Sequence, residues 1–298
     1  VDGMSSDGTW EILKKLEKLY PSINLFQNPK GNAAAGRNIG VKHSRGDYIA
    51  FVDSDAIAEK NWLKSIKEVF FNTDAIGVGG PDILPPNSIP KSRAIGTIMS
   101  SPLASGGGLN PSVQHIMSSR ETYVEHIPTC NLCVKKEIFD KIGYFDEEFV
   151  KGQDLEFNTR LIMAGYKLFH SPKIKVLHYR KMHIRSFSRQ IFKWAKAKAQ
   201  IIKKHGLLNL AYLLPLFGLI GVLAIFCVAL VLNLVVPYVL LIFLGSLTYI
   251  FVIMFESSRL AIKNKNMILF FYGLLLFPIV HFSYTLGVIY GFFRKKIW

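Results

Sequence analysis

Two different patterns of apolar and polar residues divide this chain. Over roughly the first 180 residues, short amphipathic stretches alternate with short apolar stretches. Helical periodicity predicts helices, and compact apolar runs predict strands. The predicted helices cover residues 9–20, 33–43 and 61–71, and the predicted strands cover residues 23–27, 47–52 and a run that ends at His178. This alternation predicts an α/β fold with a mainly parallel sheet, whose binding edge lies at the carboxyl ends of the strands.

The second pattern is strongly apolar and begins near residue 206. Residues 206–255 carry no formal charge, and as a helix they would extend about 75 Å, whereas a hydrocarbon core is about 30 Å thick. This run predicts two membrane spans, over residues 207–232 and 234–255, with a break near residues 233–237. A third uncharged run, residues 267–293, contains Pro278 and His281. It predicts either one tilted or kinked span or a re-entrant pair.

Charge is distributed as unevenly as hydropathy. Residues 1–156 hold 17 basic and 20 acidic side chains, whereas residues 157–298 hold 19 basic and one acidic side chain. The basic excess lies beside apolar runs, which argues against a nucleic-acid partner and favours a membrane surface. Because basic segments remain on the cytoplasmic side, we expect a multi-pass protein of the cell membrane whose N-terminal domain is cytoplasmic.

A basic amphipathic helix is predicted between the two patterns. Over residues 184–205 apolar positions recur at spacings of three and four, and Lys and Arg occupy the other faces. Such a helix is typical of a membrane interface. The alternative is an ordinary surface helix packed on the domain. The sequence thus predicts a domain at residues 1–183, an interfacial helix at 184–205 and a membrane domain at 206–298.

Three cysteines are too few for a disulfide framework. Cys227 lies in an apolar run, and Cys130 and Cys133 form a single CxxC pair. Without a second pair a structural zinc site is disfavoured. We expect Cys130 and Cys133 to be two reduced, partly buried thiols.

A pair of carboxylates follows the predicted strand at residues 47–52. Asp53 and Asp55 come at i and i+2, so a sheet edge would present both to Mg²⁺ or Mn²⁺ that is also held by a diphosphate. The alternative is an acidic turn without a metal. His178 ends another predicted strand, where it would complete the metal site or be a buried strand histidine.

Other polar positions point to anion binding and proton transfer. The turn from Asp2 to Thr9 offers a carboxylate and backbone N–H groups to a nucleoside, although it would also serve as a simple turn. Arg37, in an Ala- and Gly-rich helix, suits a phosphate or an acidic neighbour. Asp154 and Glu156 lie at a predicted helix start, where the helix dipole keeps a general base ionised. Helix capping is the alternative there.

Taken together, these segments resemble the family 2 glycosyltransferases of the GT-A fold. Four segments match in the family's order across about residues 1–182: VDGMSSDGT, GNAAAGRNIGVKHSRGDYIAFVDSD, NLCVKKEIFDKIGYFDEEF and QDLEFNTRLIMAGYK. The resemblance implies an enzyme that transfers a hexosyl-type sugar from a nucleotide-sugar donor with inversion. It also implies roles for five positions: nucleoside binding by Asp2 and Asp7, nucleotide-sugar contact by Arg37, and a metal-diphosphate DxD motif at Asp53 and Asp55.

The same resemblance assigns the catalytic base to Asp154, with departures from the family pattern nearby. Gln153 stands where the family usually has Glu. Residues 190–194 nearly match the QxxRW motif of processive synthases, with Lys193 in place of Arg. Glu156, Gln190 and Trp194 are therefore acceptor-side candidates. The family's opening strand is absent, so we expect that an N-terminal piece precedes Val1.

A catalytic domain followed by a few apolar spans is similar to membrane glycosyltransferases of bacterial and archaeal exopolysaccharide and lipid-linked glycan assembly. That likeness implies a nucleotide-sugar donor, Mg²⁺ or Mn²⁺, and a polyprenyl-linked sugar or growing glycan as acceptor. Two alternatives stay open, namely a processive polysaccharide synthase and a non-catalytic membrane scaffold with a transferase-like domain. The sequence does not indicate an oligomeric state.

Overall fold

The computed structural model describes residues 1–105, 119–179, 183–206, 212–233 and 235–294. Its described residues form two compact units. The first holds residues 1–83 and 119–177, and the second holds residues 84–105 and those from 178 to 294. The sequence predicts that residues 84–105 belong to the N-terminal domain. They belong to the second unit because their apolar side chains pack with its helices.

The first unit is an α/β domain, as predicted. Its helices and strands are, in chain order, α1 (Thr9–Leu19), α2 (Ala33–His43), β1 (Tyr48–Phe51), β2 (Ala56–Ala58), α3 (Trp62–Asn72), β3 (Gly77–Gly79), β4 (Asp82–Ile83), β5 (Thr122–Val124), β6 (Leu132–Lys135), α6 (Ile138–Ile142), α7 (Gln153–Met163), β7 (Leu168–His170) and β8 (Val176–His178). The labels α4 (Pro90–Met99) and α5 (Pro102–Ser105) belong to the second unit.

The predicted mainly parallel sheet is wrong, because both directions of pairing occur. One sheet has five strands in the order β1-β6-β3-β7-β5, and the other has three in the order β2-β8-β4. Strand β6 runs antiparallel to both β1 and β3, whereas β3 and β7 are parallel. Strand β5 runs antiparallel to β7. Apolar runs locate strands but do not encode the direction of their neighbours, so the sequence could not reveal that β6 lies between β1 and β3.

The predicted helices are confirmed to within one residue at each end. Helix α2 begins cleanly because the Asn32 side chain accepts a hydrogen bond of 2.7 Å from Ala35 N. The predicted strand at residues 23–27 is reduced to one parallel bridge between Asp2 and Gln27. That bridge nevertheless fixes the turn that follows Asp2.

An aromatic cluster fixes α7 against the five-stranded sheet. The ring centroids of Phe145 and Phe157 are 4.5 Å apart, and those of Phe139 and Phe157 are 5.2 Å apart. All three rings are at least 98% buried and join the apolar core under β6 and β7. Offset aromatic packing adds to the burial of their large apolar area. Helix α7, which carries Asp154, is therefore rigidly seated.

Long helices form most of the second unit. They are α8 (Ile184–His205), α9 (Leu214–Val231), α10 (Val235–Lys263) and α11 (Ile268–Phe293). Two segments, Val236–Lys263 and Ile268–Phe293, are long and apolar enough to cross a membrane, and Ile220–Val231 is a shorter apolar stretch. The first predicted span began at residue 207, and residues 207–211 lie outside the described residues.

The bounds of these helices bear on two predictions. Helix α11 continues through Pro278 as one helix, which matches the single-span alternative. Helix α10 runs eight residues beyond the predicted end at residue 255. That extension includes Glu256 and Arg259, whose side chains form an ion pair with a 2.6 Å separation.

Helix α8 packs along α11 through small residues. A Cβ atom added to Gly287 would lie 2.4 Å from Phe192 O, and one added to Gly291 would lie 2.7 Å from the Ala199 Cβ. Small residues four apart allow helix backbones to approach closely. The apolar face that the sequence assigns to a lipid interface therefore packs largely against other helices of the second unit, and its location at a membrane interface stays a prediction.

Gly287→Ala tests this contact. The added methyl group would force the two backbones apart, so we expect a loss of about 1–3 kcal/mol in the free energy of unfolding. Gly245→Ala in α10 is the matched control, because nothing lies within 4 Å of its added Cβ. Thermal unfolding in detergent micelles measures both. Equal melting temperatures for the two variants would contradict the packing.

Candidate active site

The acidic pair occupies the turn that follows β1. Asp53 is half-buried and Asp55 is exposed. The turn is closed by a 3.0 Å hydrogen bond from Ala56 N to Asp53 O. Strand β1 thus delivers both carboxylates to one turn of the domain, as the sequence predicts.

Arg37 connects helix α2 to this turn. Its Nη2 donates to Asp53 Oδ1 at 3.0 Å, and 17% of its side chain is exposed. Its Nη1 is buried and has no hydrogen-bond partner among the described residues. A buried, unpaired guanidinium nitrogen is costly unless it meets an anion. The structure therefore provides the acidic neighbour and leaves a donor for a further anionic group.

His178 is brought to the acidic pair. It is the last residue of β8, the central strand of the three-stranded sheet. The ligand atoms of Asp53, Asp55 and His178 all lie within 4.8 Å of one another. Two carboxylates and one imidazole form a donor set that fits Mn²⁺ or Mg²⁺. All three predicted metal ligands are thus close enough to share one ion.

Two further side chains lie beside this group and were not predicted as site residues. The Cys130 Sγ is 3.7 Å from Asp82 Oδ2, and these two residues form a second cluster of possible ligands with His178. Asp82 follows β3 after Gly80 and Pro81, just as Asp53 follows β1. An acidic residue after a short Gly-rich strand was the signal that could have identified it. Cys130 and Cys133 are free thiols and are more deeply buried than the sequence predicts.

The pKa of the buried Cys130 thiol is influenced by several charged side chains of the candidate site. Burial raises its pKa well above the usual range for a thiol. Three carboxylates raise the same pKa further and one guanidinium lowers it; these groups belong to Asp53, Asp154, Asp55 and Arg37. The carboxylate at position 154 and the pair at 53 and 55 therefore act electrostatically on the same buried thiol.

Asp154 is the second residue of α7. The helix begins after Gly152, whose left-handed backbone (φ 76°) suits glycine. The half-buried Asp154 carboxylate accepts a 2.9 Å hydrogen bond from Leu155 N. The partial positive charge at a helix N-terminus stabilises an ionised carboxylate. The Asp154 carboxylate is therefore held at the N-terminal end of α7.

Asp2 and Asp7 lie in the turn before α1. Asp2 is buried. Its carboxylate accepts hydrogen bonds from the Ser5 backbone N–H at 2.9 Å and from the Ser5 hydroxyl at 2.5 Å. These hydrogen bonds, with that to the Ser5 side chain strongest, lower the pKa of Asp2. The exposed Asp7 binds the Thr9 hydroxyl and N–H and so caps α1. Both carboxylates therefore shape the turn itself, and their predicted contact with a nucleoside stays a prediction.

Residues 1–141 of the chain match the family described as Glycosyl transferase family 2. Over this segment the chain is similar to the family 2 glycosyltransferases. It is 28% identical to a dolichyl N-acetyl-α-D-glucosaminyl phosphate 3-β-D-2,3-diacetamido-2,3-dideoxy-β-D-glucuronosyltransferase of Methanococcus voltae, over 99% of this chain and 86% of that protein. It is 24% identical to the Escherichia coli enzyme WfaP, a UDP-Glc:α-D-GlcNAc-diphosphoundecaprenol β-1,3-glucosyltransferase, over 69% of this chain and 73% of that protein.

A solved structure shows the same fold. The mannosyltransferase PcManGT of Pyrobaculum calidifontis, in complex with GDP-Man and Mn²⁺, superimposes with a TM-score of 0.58 at 13% identity. The alignment covers 99% of this chain and 77% of that one. The predicted GT-A fold is thereby confirmed.

Two of the three acceptor-side candidates lie on α8, in the second unit. Gln190 and Trp194 are both half-buried. Trp194 packs against the apolar cluster that α8 shares with α10 and α11. The QxxKW segment therefore contributes at least one side chain to packing, and its contact with an acceptor stays a prediction.

The third candidate, Glu156, is placed where it cannot meet an acceptor. It is fully buried, and its two oxygens pair with Arg160 Nε and Nη2, each at 2.9 Å. The same guanidinium donates to the carbonyls of Ile142 and Tyr144 at 2.5 and 2.8 Å. We correct the acceptor-side interpretation for this residue: Glu156 holds Arg160, which ties α7 to the end of α6.

Glu156→Gln tests this structural role. Removing the charge would leave a partly buried guanidinium without its counter-ion, so we expect the protein to lose about 3–5 kcal/mol of stability. Glu137→Gln is the control, because Glu137 pairs with Lys141 at the same i,i+4 spacing but is 56% exposed. Its loss should stay below about 1 kcal/mol. Denaturant unfolding measures both, and a stable Glu156→Gln protein would contradict the assignment.

Proposed function

We propose that this protein is a glycosyltransferase that moves a sugar, with inversion, from a nucleoside-diphosphate donor to a polyprenyl-linked acceptor at the cytoplasmic face of a membrane. One observation carries the proposal. The carboxylates of Asp53 and Asp55 lie with His178 close enough to share one ion, and Asp154, about a hundred residues later in the sequence, acts on the same buried Cys130 thiol as that pair. We infer that these groups line one cleft. An acid cluster of this kind is useful when one part holds a metal ion and another accepts a proton.

In this proposal the acidic turn binds the sugar donor. Asp53, Asp55 and His178 would hold Mn²⁺ or Mg²⁺, and when bound the ion supplies positive charge to the diphosphate leaving group. Arg37 keeps Asp53 in place through one nitrogen and offers its buried Nη1 to a phosphate oxygen. The relative from Pyrobaculum calidifontis was solved with Mn²⁺ and GDP-Man, which supports this arrangement.

In this proposal Asp154 is the general base that acts on the acceptor hydroxyl. Inversion requires that the acceptor oxygen attack the anomeric carbon from the face opposite the diphosphate. As the new carbon–oxygen bond forms and the bond to the diphosphate breaks, the acceptor hydroxyl loses its proton to the Asp154 carboxylate. The packing of α7 fixes the position of that carboxylate.

A lipid-linked acceptor is supported by three observations. The relative from Methanococcus voltae is named for a dolichyl phosphate acceptor, and that from Escherichia coli for a diphosphoundecaprenol acceptor. Two helices are long and apolar enough to cross a membrane. The twelve basic and no acidic residues between positions 167 and 205 favour a cytoplasmic location for the adjoining domain.

Asp154→Asn tests the catalytic base. The substitution keeps the size of the side chain but removes its ability to accept a proton, so kcat should fall about 10²–10⁴-fold. Binding of Mn²⁺ with UDP or GDP should change little, because that side of the cleft is intact. Asp140→Asn, an exposed residue on α6, is the control. Full activity of folded Asp154→Asn protein would remove Asp154 from this role.

Asp55→Asn tests the metal site separately from the base. Loss of one carboxylate ligand should weaken Mn²⁺-dependent nucleotide binding at least about 10–100-fold. Calorimetric titration with UDP and GDP, with Mn²⁺ or with EDTA, measures the effect. Nucleotide binding that is equally tight in EDTA, or unchanged in the variant, would argue against a metal held at this turn.

A further inference from the structure

Asn38 follows Arg37 on α2 and points to a different part of the cleft. Its side chain is only 4% exposed. The amide oxygen accepts a 3.0 Å hydrogen bond from Phe145 N, and the amide nitrogen donates to Phe145 O and to Glu147 Oε1, both at 2.9 Å. One buried side chain thus holds both the backbone and a carboxylate of the segment that precedes α7.

That segment has further contacts with residues on or just before α2. Lys30 Nζ lies 2.6 Å from Glu147 Oε2, and Lys42 Nζ lies 5.2 Å from the centre of the Tyr144 ring. Beyond Glu147 the chain turns back through a 3.2 Å hydrogen bond from Phe149 N to Asp146 O, and the Phe149 side chain is 99% buried. The path from Glu147 to Asp154 is therefore short and anchored at both ends.

Successive residues of α2 thus hold the two halves of the proposed chemistry. Arg37 binds Asp53 on the metal side, and Asn38 binds the segment that leads to Asp154 on the base side. We propose that Asn38 is a positioning residue that sets the separation between the donor phosphates and the Asp154 carboxylate. This inference rests on the proposed function and adds a residue to it. Misplacing a reacting group by about 1 Å costs about 10²-fold in rate.

Asn38→Asp is the test, because it keeps the size of the side chain and its acceptor oxygen. The new carboxylate would face Glu147 Oε1 at the distance that now holds a hydrogen bond, and repulsion would push the 145–147 segment away. We expect kcat to fall about 10–100-fold, while the affinity for Mn²⁺ with UDP or GDP stays within about twofold because the Arg37–Asp53 pair is intact.

The double variant Asn38→Asp/Glu147→Gln restores a donor and acceptor pair at the same place, since the amide introduced at position 147 would donate to the carboxylate introduced at position 38. We expect kcat to recover to within about tenfold of wild type. Asn72→Asp is the matched control, since Asn72 is exposed and its amide donates to Glu68 O within α3, so the same change of charge there should leave kcat unchanged. If Asn38→Asp does not fold, Asn38→Ser replaces it, with the same split expected between kcat and nucleotide affinity.

Transfer is assayed with the full chain in detergent, using UDP- and GDP-sugars with polyprenyl diphosphate N-acetylglucosamine as probe acceptor. Unchanged kcat in a folded Asn38 variant, parallel losses of kcat and nucleotide affinity, or no recovery in the double variant would each overturn the inference. If the wild-type chain binds Mn²⁺ with nucleotide but transfers no sugar to any glycan acceptor, the proposed function fails first. The two failures are therefore distinguishable.

Discussion

The proposed cleft depends on holding three carboxylates within electrostatic range of one buried thiol. Like charges at short range raise each other's cost of ionisation, so such a group needs a counter-charge or a rigid frame. Arg37 provides a permanent positive charge beside Asp53. The frame is provided by β1, which ends at the acidic turn, and by α7, which is fixed through the Phe157 ring and the Arg160 ion pair. A divalent cation would add the charge that this frame leaves unbalanced.

Local sequence signals were sufficient to locate most of the elements around this cleft. Helix α2 occupies the predicted residues because Asn32 caps it and small residues fill it, and β1 lies within its predicted run. The acidic turn and the helix start at Asp154 were also found from sequence. Pairing direction was not, because the position of β6 between β1 and β3 is set by contacts between distant segments.

The same distinction explains why Glu156 was misassigned. From sequence, Asp154 and Glu156 are two carboxylates at one helix start, and nothing local separates them. In the helix they point in different directions, because residues two apart lie about 200° around the axis. Asp154 remains at the cleft, whereas Glu156 turns into the core and meets Arg160 one helical turn later. Only the buried surroundings of α7 determine which carboxylate is left for chemistry.

Helix α2 shows how one segment can satisfy both the functional and the structural interpretation of its sequence. Its small residues indicated a close approach of the backbone to another group, and Ala34 and Ala35 are indeed at least 97% buried. Part of what approaches is protein, since the residue beside Gly36 is Asn28, whose amide would lie 3.3 Å from an added Cβ. A helix surrounded in this way cannot shift without moving Arg37 and Asn38 together. The metal side and the base side of the cleft therefore share one rigid support, and a change in its packing would alter both.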